Sequence, residues 1–533
     1  MSLSILPRLH RRPTTTDWAE VAIPALVLGI VGLYLARTAL TGALGFPLDD
    51  SWIHQVYARN VAERGEFAFL PGVPSAGSTA PLWTVLLAVA YWIGIDPRFW
   101  TYLLGAVSLG LCALAAGRLA VKLGGRPASI ASLVAVFVAV EWHLGWAAVS
   151  GMETVLQALF VLVAFLIPAR SPLALGAWIG ASLFVRPDGA LLGVFALARV
   201  VLERPPVWGP ERPTREGDPP DRALGPSGLQ AVGALAVGFL LVAGPYVLFN
   251  LWLTGTPWPN TFYAKQAEYA ELLSTSIWER LFYLCTTAGC NVGLAVMPWV
   301  GGQALLLPGL IRFVSDSIRS RQWARLLPVL WAATLILVYA LRLPVTYQYG
   351  RYVMPVIPVL IVCSLIGVVD AFNQPNRHRI AWVIKRVWAL STAVVSLAFI
   401  VIGSGRLAGD VAWIEANMVA TARWVRANTD PQAVIAAHDI GALGYFGERR
   451  ILDTAGLISP EVIPFIRDEA RLEVWMRERE AAYFVSPPGF YPELDARLAP
   501  DLAFAPTLPD GVPPPSLQVF RLVPSGPPET VRP

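Results

Sequence analysis

The sequence predicts a mainly α-helical, polytopic membrane protein: a bundle of about eleven spans with interfacial helices, followed by a small C-terminal α/β domain outside the membrane. Three observations carry this reading. Of 533 residues, 55% are hydrophobic and 15% charged, and the mean hydropathy is +0.54, too apolar for a water-exposed globule. Apolar runs of span length recur from Trp18 to Ser404, separated by short basic segments. Beyond Ser404 the runs shorten to strand length at Ala433–Ala437 and Ala481–Val485, after a helical pattern over Trp413–Asn428. The chain therefore divides into residues 1–404 in the membrane and 405–533 outside it. The formal net charge of +4 is small and dispersed, which gives no support for a nucleic-acid partner.

The first run, Trp18–Leu44, follows Arg8, Arg11 and Arg12. It is too long for a signal-peptide core and reads as an uncleaved first span with its basic end in the cytoplasm. Ser51–Arg64, closed by Gly65, has the pattern of an amphipathic helix lying along the membrane surface. Ala80–Ile95 would cover about 24 Å as a helix, short of the roughly 30 Å hydrocarbon core, and reads as a second interfacial or re-entrant helix. Ten further spans, at about 99–121, 128–148, 152–167, 172–186, 189–202, 229–251, 289–311, 326–342, 351–370 and 387–404, complete the set.

Charge tests that topology. The segments it places in the cytoplasm hold nineteen Lys and Arg, including Arg118, Lys122 and Arg126 in one turn and Arg312, Arg319, Arg321 and Arg325 in another. The outer segments of the membrane part hold eight. This is the expected bias for a cytoplasmic N-terminus and an extracytoplasmic C-terminal domain. Residues 203–227 are Pro-rich and charged and read as a flexible cytoplasmic linker. Cys112 and Cys363 lie in apolar runs as buried thiols, while Cys285 and Cys290 are either free or paired outside the membrane.

The unexpected polar residues collect on the outer face. They comprise Asp49, Asp50 and His54; Glu153; Arg186 and Asp188; Asn260 and Lys265; and Arg351 and Tyr352. Charged groups at bilayer depth cost roughly 2.5–3.5 kcal/mol on insertion scales, so they face a cavity or one another. Successive helical side chains point about 100° apart, so only one of the adjacent acids Asp49 and Asp50 can cap a helix, which leaves the other for chemistry. Arg186 and Asp188 form either an ion pair around Pro187 or ligand contacts, and Glu153 either caps the following helix or enters the site. Lys265 and Arg351 either snorkel to the interface or hold an anionic head group, Arg by a bidentate fork and Lys as a point charge. His438, Asp439 and Asp453 read as turn and cap residues around Gly441 and Gly444, or as acceptor contacts. No metalloprotease, P-loop, nucleophile-elbow or dinucleotide motif is present.

The run PLDDSWIHQVYARNVAERGEFAFLPG, then STAPLW, SGMET, VRPDG, PNTFYAK and YGRYVMP, in this order, resembles the GT-C superfamily of integral-membrane glycosyltransferases. The likeness extends to VIAAHDIGALGYFGERRILDTAGLISPE and is strongest to the branch that uses polyprenyl-phosphate sugars, arabinofuranosyltransferases and mannosyltransferase-like enzymes. The resemblance implies transfer of a sugar from a polyprenyl-phosphate donor to a cell-envelope glycan, lipid or protein on the outer face, with inversion at the anomeric carbon. It implies that an acid of the first outer loop acts at the acceptor hydroxyl. On that reading Asp49 is the general base, Asp50 its partner or an acceptor or metal ligand, and Arg351 and Lys265 hold the leaving phosphate. His54, Glu153, Arg186, Asp188, Asn260 and Tyr352 complete the substrate contacts. These residues specify no cofactor, and two Asp side chains leave a divalent metal open. Competing readings are a transporter or flippase of lipid-linked sugars, which would place charged or broken helices at the bilayer midplane, a polysaccharide polymerase or ligase, and a noncatalytic scaffold.

Overall fold

The computed structural model describes residues 15–42, 44–125, 129–203, 228–286, 303–373, 379–509 and 511–522. The N-terminal arginines, nearly all of the 203–227 linker, Cys290 and most of the expected 289–311 span lie outside them.

Helix dominates as far as Asn428, as the apolar runs require. Among the described residues, five helices are long and apolar enough to cross a bilayer: Ala22–Ala39, Pro97–Gly124, Gly228–Thr254, Trp323–Arg342 and Trp382–Asn428. A sixth forms if Ser129–Ala139 and Trp142–Ala148, bent by 63°, count as one span. This is a membrane protein. The expected spans at 152–167, 172–186 and 351–370 are helices of 13, 14 and 17 residues, Thr154–Leu166, Pro172–Val185 and Val356–Phe372. The expected 189–202 span is split into a 3-10 turn, Pro187–Leu191, and the helix Leu192–Leu202. Their apolar character reflects packing against other helices: every residue from Val356 to Val368 is buried inside the protein. Composition alone does not separate such a helix from a lipid-facing span.

Small residues let neighbouring helices touch backbone to backbone. A Cβ on Gly176 would overlap the Leu235 carbonyl oxygen, and one on Gly238 would overlap that of Leu173, so Pro172–Val185 and Gly228–Thr254 pack without side chains between them. Pro81–Ile93 is 13 residues long, with Pro81 in its first turn and a left-handed Gly94 (φ 71°) at its end. It is shorter than a span, as its length in the sequence indicates.

Asp49–Arg64 begins two residues earlier than the sequence pattern predicts and ends on left-handed Gly65. It is not laid out on a surface. Its polar side is buried too: Ser51 donates to the Ser150 carbonyl at 2.6 Å, Gln55 to Thr101 at 2.9 Å and Asn60 to the Ala68 carbonyl at 2.8 Å. Trp52 packs on Tyr445 and Phe446 at centroid distances of 4.9 and 4.7 Å. A hairpin of β1 (Ala68–Leu70) and β2 (Val73–Pro74) follows.

The helix Arg379–Ile414 runs straight through residue 404 and, after a π-turn at Glu415–Val419, continues as Ala420–Asn428. Beyond it lie β3 (Val434–Ala437), β4 (Arg450–Asp453), β5 (Ala481–Ser486), β6 (Leu502–Phe504) and β7 (Gln518–Arg521). They form one mixed sheet in the order β4-β3-β5-β7-β6, parallel from β4 to β5 and antiparallel at β5-β7 and β7-β6. β3 and β5 are the two runs read from the sequence. Helices Glu469–Glu478 and Pro492–Leu498 flank the sheet through Leu472, Trp475 and Leu494.

Gly238→Leu forces apart two backbones in contact and is expected to destabilise the protein by about 1–3 kcal/mol. Gly233→Leu, in the same helix with nothing within 4 Å, leaves thermal unfolding in detergent unchanged, so the pair of melts isolates the packing effect.

Candidate active site

A cavity of about 700 Å³ opens beside the N-terminal end of Asp49–Arg64. Its wall carries Asp50, His54, Glu153, Arg186, Asp188, Lys265, Arg351 and Tyr352, eight of the ten residues singled out in the sequence. Five separate stretches deliver them, which is why no one motif specifies the site. Asp49 and Asn260 are buried but do not line it.

Asp50 and Arg351 form an ion pair. Burial pushes the Asp50 carboxyl up, but Arg351 and then Lys265 outweigh it and hold the pKa at about 2, so the group is ionised at neutral pH. Arg351 also donates from Nη2 to the Tyr352 hydroxyl at 3.2 Å. Its Nε and Nη1 are buried with no hydrogen-bond partner among the described residues. A buried guanidinium with two unused donors is a strong anion site, since leaving them unmade is costly. The backbone presents it unusually: Gln348, Tyr349 and Gly350 all have positive φ (56°, 57° and 64°). The Tyr349 hydroxyl donates to Asp410 at 3.0 Å, and its ring meets Trp142 and Trp146 edge-on, which holds this turn.

A second cluster is internally compensated. Arg186 pairs with Asp188 at 3.0 Å and Glu153 at 3.3 Å, the Tyr339 hydroxyl donates to Asp188 at 2.7 Å, and His54 Nε2 lies 3.4 Å from Glu153. Glu153 makes no side-chain cap to the helix that follows. The ion pair of Arg186 and Asp188 around Pro187 is formed, and both residues line the cavity wall.

A third cluster reaches the C-terminal segment and joins Lys265 to His438 and Asp439 through Glu268, the one member not singled out in the sequence. Lys265 pairs with Glu268 at 3.2 Å, Glu268 lies 3.3 Å from His438 Nε2, and His438 Nδ1 lies 3.5 Å from Asp439. Burial pulls the His438 imidazole down, but Asp439 and Glu268 raise it to about 10, and the same His438 and Lys265 lower Glu268 to about 2 despite its burial. The i, i+3 spacing of Lys265 and Glu268 is the one sequence signal that points to Glu268. Asp453 accepts from the Ala455 and Ile458 amides and holds a turn.

Asp49, expected as the base, is turned away from the cavity toward the backbone of the C-terminal segment. Its two carboxylate oxygens accept from the Gly441 amide at 2.6 Å and the Ala442 amide at 2.7 Å. Burial and then the charge of Asp439 push its pKa up to about 7, against those two hydrogen bonds. A Cβ on Gly441 would overlap the Asp49 carbonyl oxygen, so only glycine fits there. The adjacent acids divide their work by direction: Asp49 faces the Gly441-Ala442 backbone and Asp50 the cavity.

No group of three or more His, Cys, Asp and Glu side chains suited to a metal ion occurs among the described residues. The groups nearest Asp50 are cations, the reverse of a metal-ligand set.

The fold matches solved structures. ArnT from Cupriavidus metallidurans bound to undecaprenyl phosphate superposes over 96% of this chain and 100% of its own, with a TM-score of 0.54 at 14% identity. The apo state of the same protein gives 0.55 over 94% and 98%, again at 14% identity. The chain shares the fold of these structures. The arabinofuranosyltransferase AftD from Mycobacteria covers 96% of this chain and 40% of its own at 12% identity, but its TM-score of 0.42 adds no weight. Residues 410–514 match a family described as a domain of unknown function, DUF8728. No curated protein matches the sequence significantly.

Two predictions follow from the anchors. Asp49→Asn sets an amide NH₂ against a backbone N–H and is expected to cost about 1–3 kcal/mol in thermal unfolding while Asp50 stays ionised. His438, raised from 6.5 to about 10 in the folded chain, stabilises fully below its unfolded pKa, and that contribution is lost as pH rises through about 10. The melting temperature therefore declines from pH 7 to 10, and His438→Gln flattens this slope.

Proposed function

We propose that the protein is a glycosyltransferase that takes a sugar from a polyprenyl-phosphate donor and transfers it to a cell-envelope acceptor, a glycan, lipid or protein, at the outer face. The observation that carries the reading is Arg351, a buried guanidinium with two unpartnered donors beside the ionised Asp50. A fold shared with a structure holding undecaprenyl phosphate supports it.

In this reading the donor phosphate sits against Arg351 and Lys265. Asp50 takes the proton of the acceptor hydroxyl, whose oxygen bonds to the anomeric carbon as the bond from that carbon to the phosphate oxygen breaks. Attack from the face opposite the leaving group inverts the carbon. Polyprenyl phosphate leaves with one more negative charge, which the two cations stabilise. With Arg351 paired to it, Asp50 is a weak base. A phosphate that draws Arg351 and Lys265 to itself raises the proton affinity of Asp50, so the base is strengthened only when donor is bound. Arg186, already matched by Glu153 and Asp188, shapes the cavity rather than holding the phosphate. Residues 1–404 form the catalytic membrane part of about eleven spans, with a cytoplasmic N-terminus, and 405–533 an extracytoplasmic domain.

Purified protein in nanodiscs, supplied with labelled polyprenyl-phosphate sugars, is expected to transfer label. Asp50→Asn lowers kcat about 10²- to 10⁴-fold with donor binding kept. Arg351→Lys keeps the charge but loses the fork, weakening binding of undecaprenyl phosphate about tenfold. Transfer by Asp50→Asn at the wild-type rate removes Asp50 as the base.

A further inference from the structure

A second, larger cleft of about 960 Å³ lies between Asp49–Arg64, the β1-β2 hairpin and β4. Its wall carries five arginines, Arg59, Arg64, Arg449, Arg450 and Arg479, against Glu63, Glu448 and Glu461. Few of these charges cancel. Arg479 pairs with Glu461 at 3.5 Å, and Glu448 is answered by Arg426, which is not in the wall. Arg59 and Arg449 are held by carbonyl oxygens: Arg59 by Gly444 and Tyr445 at 3.4 Å, and Arg449 by Arg426 at 2.7 Å and Thr429 at 2.9 Å. Such bonds fix a guanidinium in place without neutralising it. Arg64 and Arg450 are exposed and make no hydrogen bond or ion pair among the described residues.

The cleft shares a thin partition with the reaction cavity. Ser75 and Ile458 face the cleft, whereas Gly77 and Leu457, their near neighbours in sequence, face the cavity. A Cβ on Gly77 would stand 2.8 Å from Ile458 Cγ2, so the two segments press together with no side chain of residue 77 between them. None of the residues that line the cleft belongs to the long apolar helices, which removes it from the lipid-facing part of the molecule. Its size suits several sugar rings, and the exposed Pro71 and Val73 offer apolar surface among the cations.

We infer that this cleft binds the acceptor of the proposed transfer, and that the acceptor is an anionic oligosaccharide bearing carboxylate or phosphate groups. Resting on the glycosyltransferase reading, the inference names its acceptor class. Arg64 and Arg450 take the acidic groups, the carbonyl-held Arg59 and Arg449 supply a fixed positive field, and the sugar chain leads past the partition toward Asp50.

The test is equilibrium binding to the full chain in nanodiscs of neutral phosphatidylcholine, with no donor present. The probes are a six-residue oligogalacturonate and, as the neutral counterpart, maltohexaose. Wild type is expected to bind oligogalacturonate, more weakly as salt rises, and to discriminate against maltohexaose. Arg64→Gln with Arg450→Gln, both at exposed positions, weakens oligogalacturonate binding about tenfold while undecaprenyl phosphate binds as before. Equal binding of the two oligosaccharides, or oligogalacturonate binding that ignores both substitutions, overturns the inference. So does the finding that the two arginines govern binding to phosphatidylglycerol vesicles and not to oligogalacturonate, which would make the cleft a membrane contact. Binding without donor separates this from the catalytic reading: failed transfer with intact, arginine-dependent oligogalacturonate binding counts against the chemistry, not the cleft.

Discussion

The arrangement depends on one buried contact, the Asp49 carboxylate received by the amides of Gly441 and Ala442. It joins the first helix after the N-terminal span to a loop almost four hundred residues later, and it fixes the rotation of that helix. Because successive helical positions diverge by about 100°, holding Asp49 against Gly441 aims Asp50 into the cavity. Gly441 is the complementary requirement, since any side chain there would occupy the space of the Asp49 backbone.

The same C-terminal stretch touches the other cavity charges at one remove. Asp410 holds the Tyr349 hydroxyl and so the left-handed turn that presents Arg351. His438 sits against Glu268, which pairs with Lys265. From the cavity wall into the C-terminal segment the charges alternate, Arg351, Asp50, Lys265, Glu268, His438 and Asp439, and each buried charge has an opposite neighbour that offsets its desolvation. Opening such a chain at Arg351 with an incoming phosphate leaves Asp50 without its strongest partner, which ties proton affinity to ligand binding.

Much of this was legible in the sequence because membrane insertion makes polar residues conspicuous. Asp50, His54, Glu153, Arg186, Asp188, Lys265, Arg351 and Tyr352 stand out against apolar runs, and the structure gathers them around one cavity. What was not legible depends on tertiary direction. Periodicity shows that Asp49 and Asp50 diverge but not which of them meets the Gly441 amide. Glu268 belongs to a polar stretch where a charge attracts no notice, His438 reads as a turn residue as readily as a contact, and only folding brings the two within 3.3 Å of each other. Likewise, the apolar run at Val356–Phe372 reads as a lipid-facing span, although protein surrounds it.

The most direct measurement is a cryo-EM map of the chain in nanodiscs with undecaprenyl phosphate bound. The account predicts phosphate density within hydrogen-bonding distance of Arg351 Nε or Nη1, near Lys265, with the Asp50–Arg351 pair opened and Asp49 still on the Gly441 and Ala442 amides. Phosphate bound away from Arg351, with the Asp50–Arg351 pair intact, would contradict it.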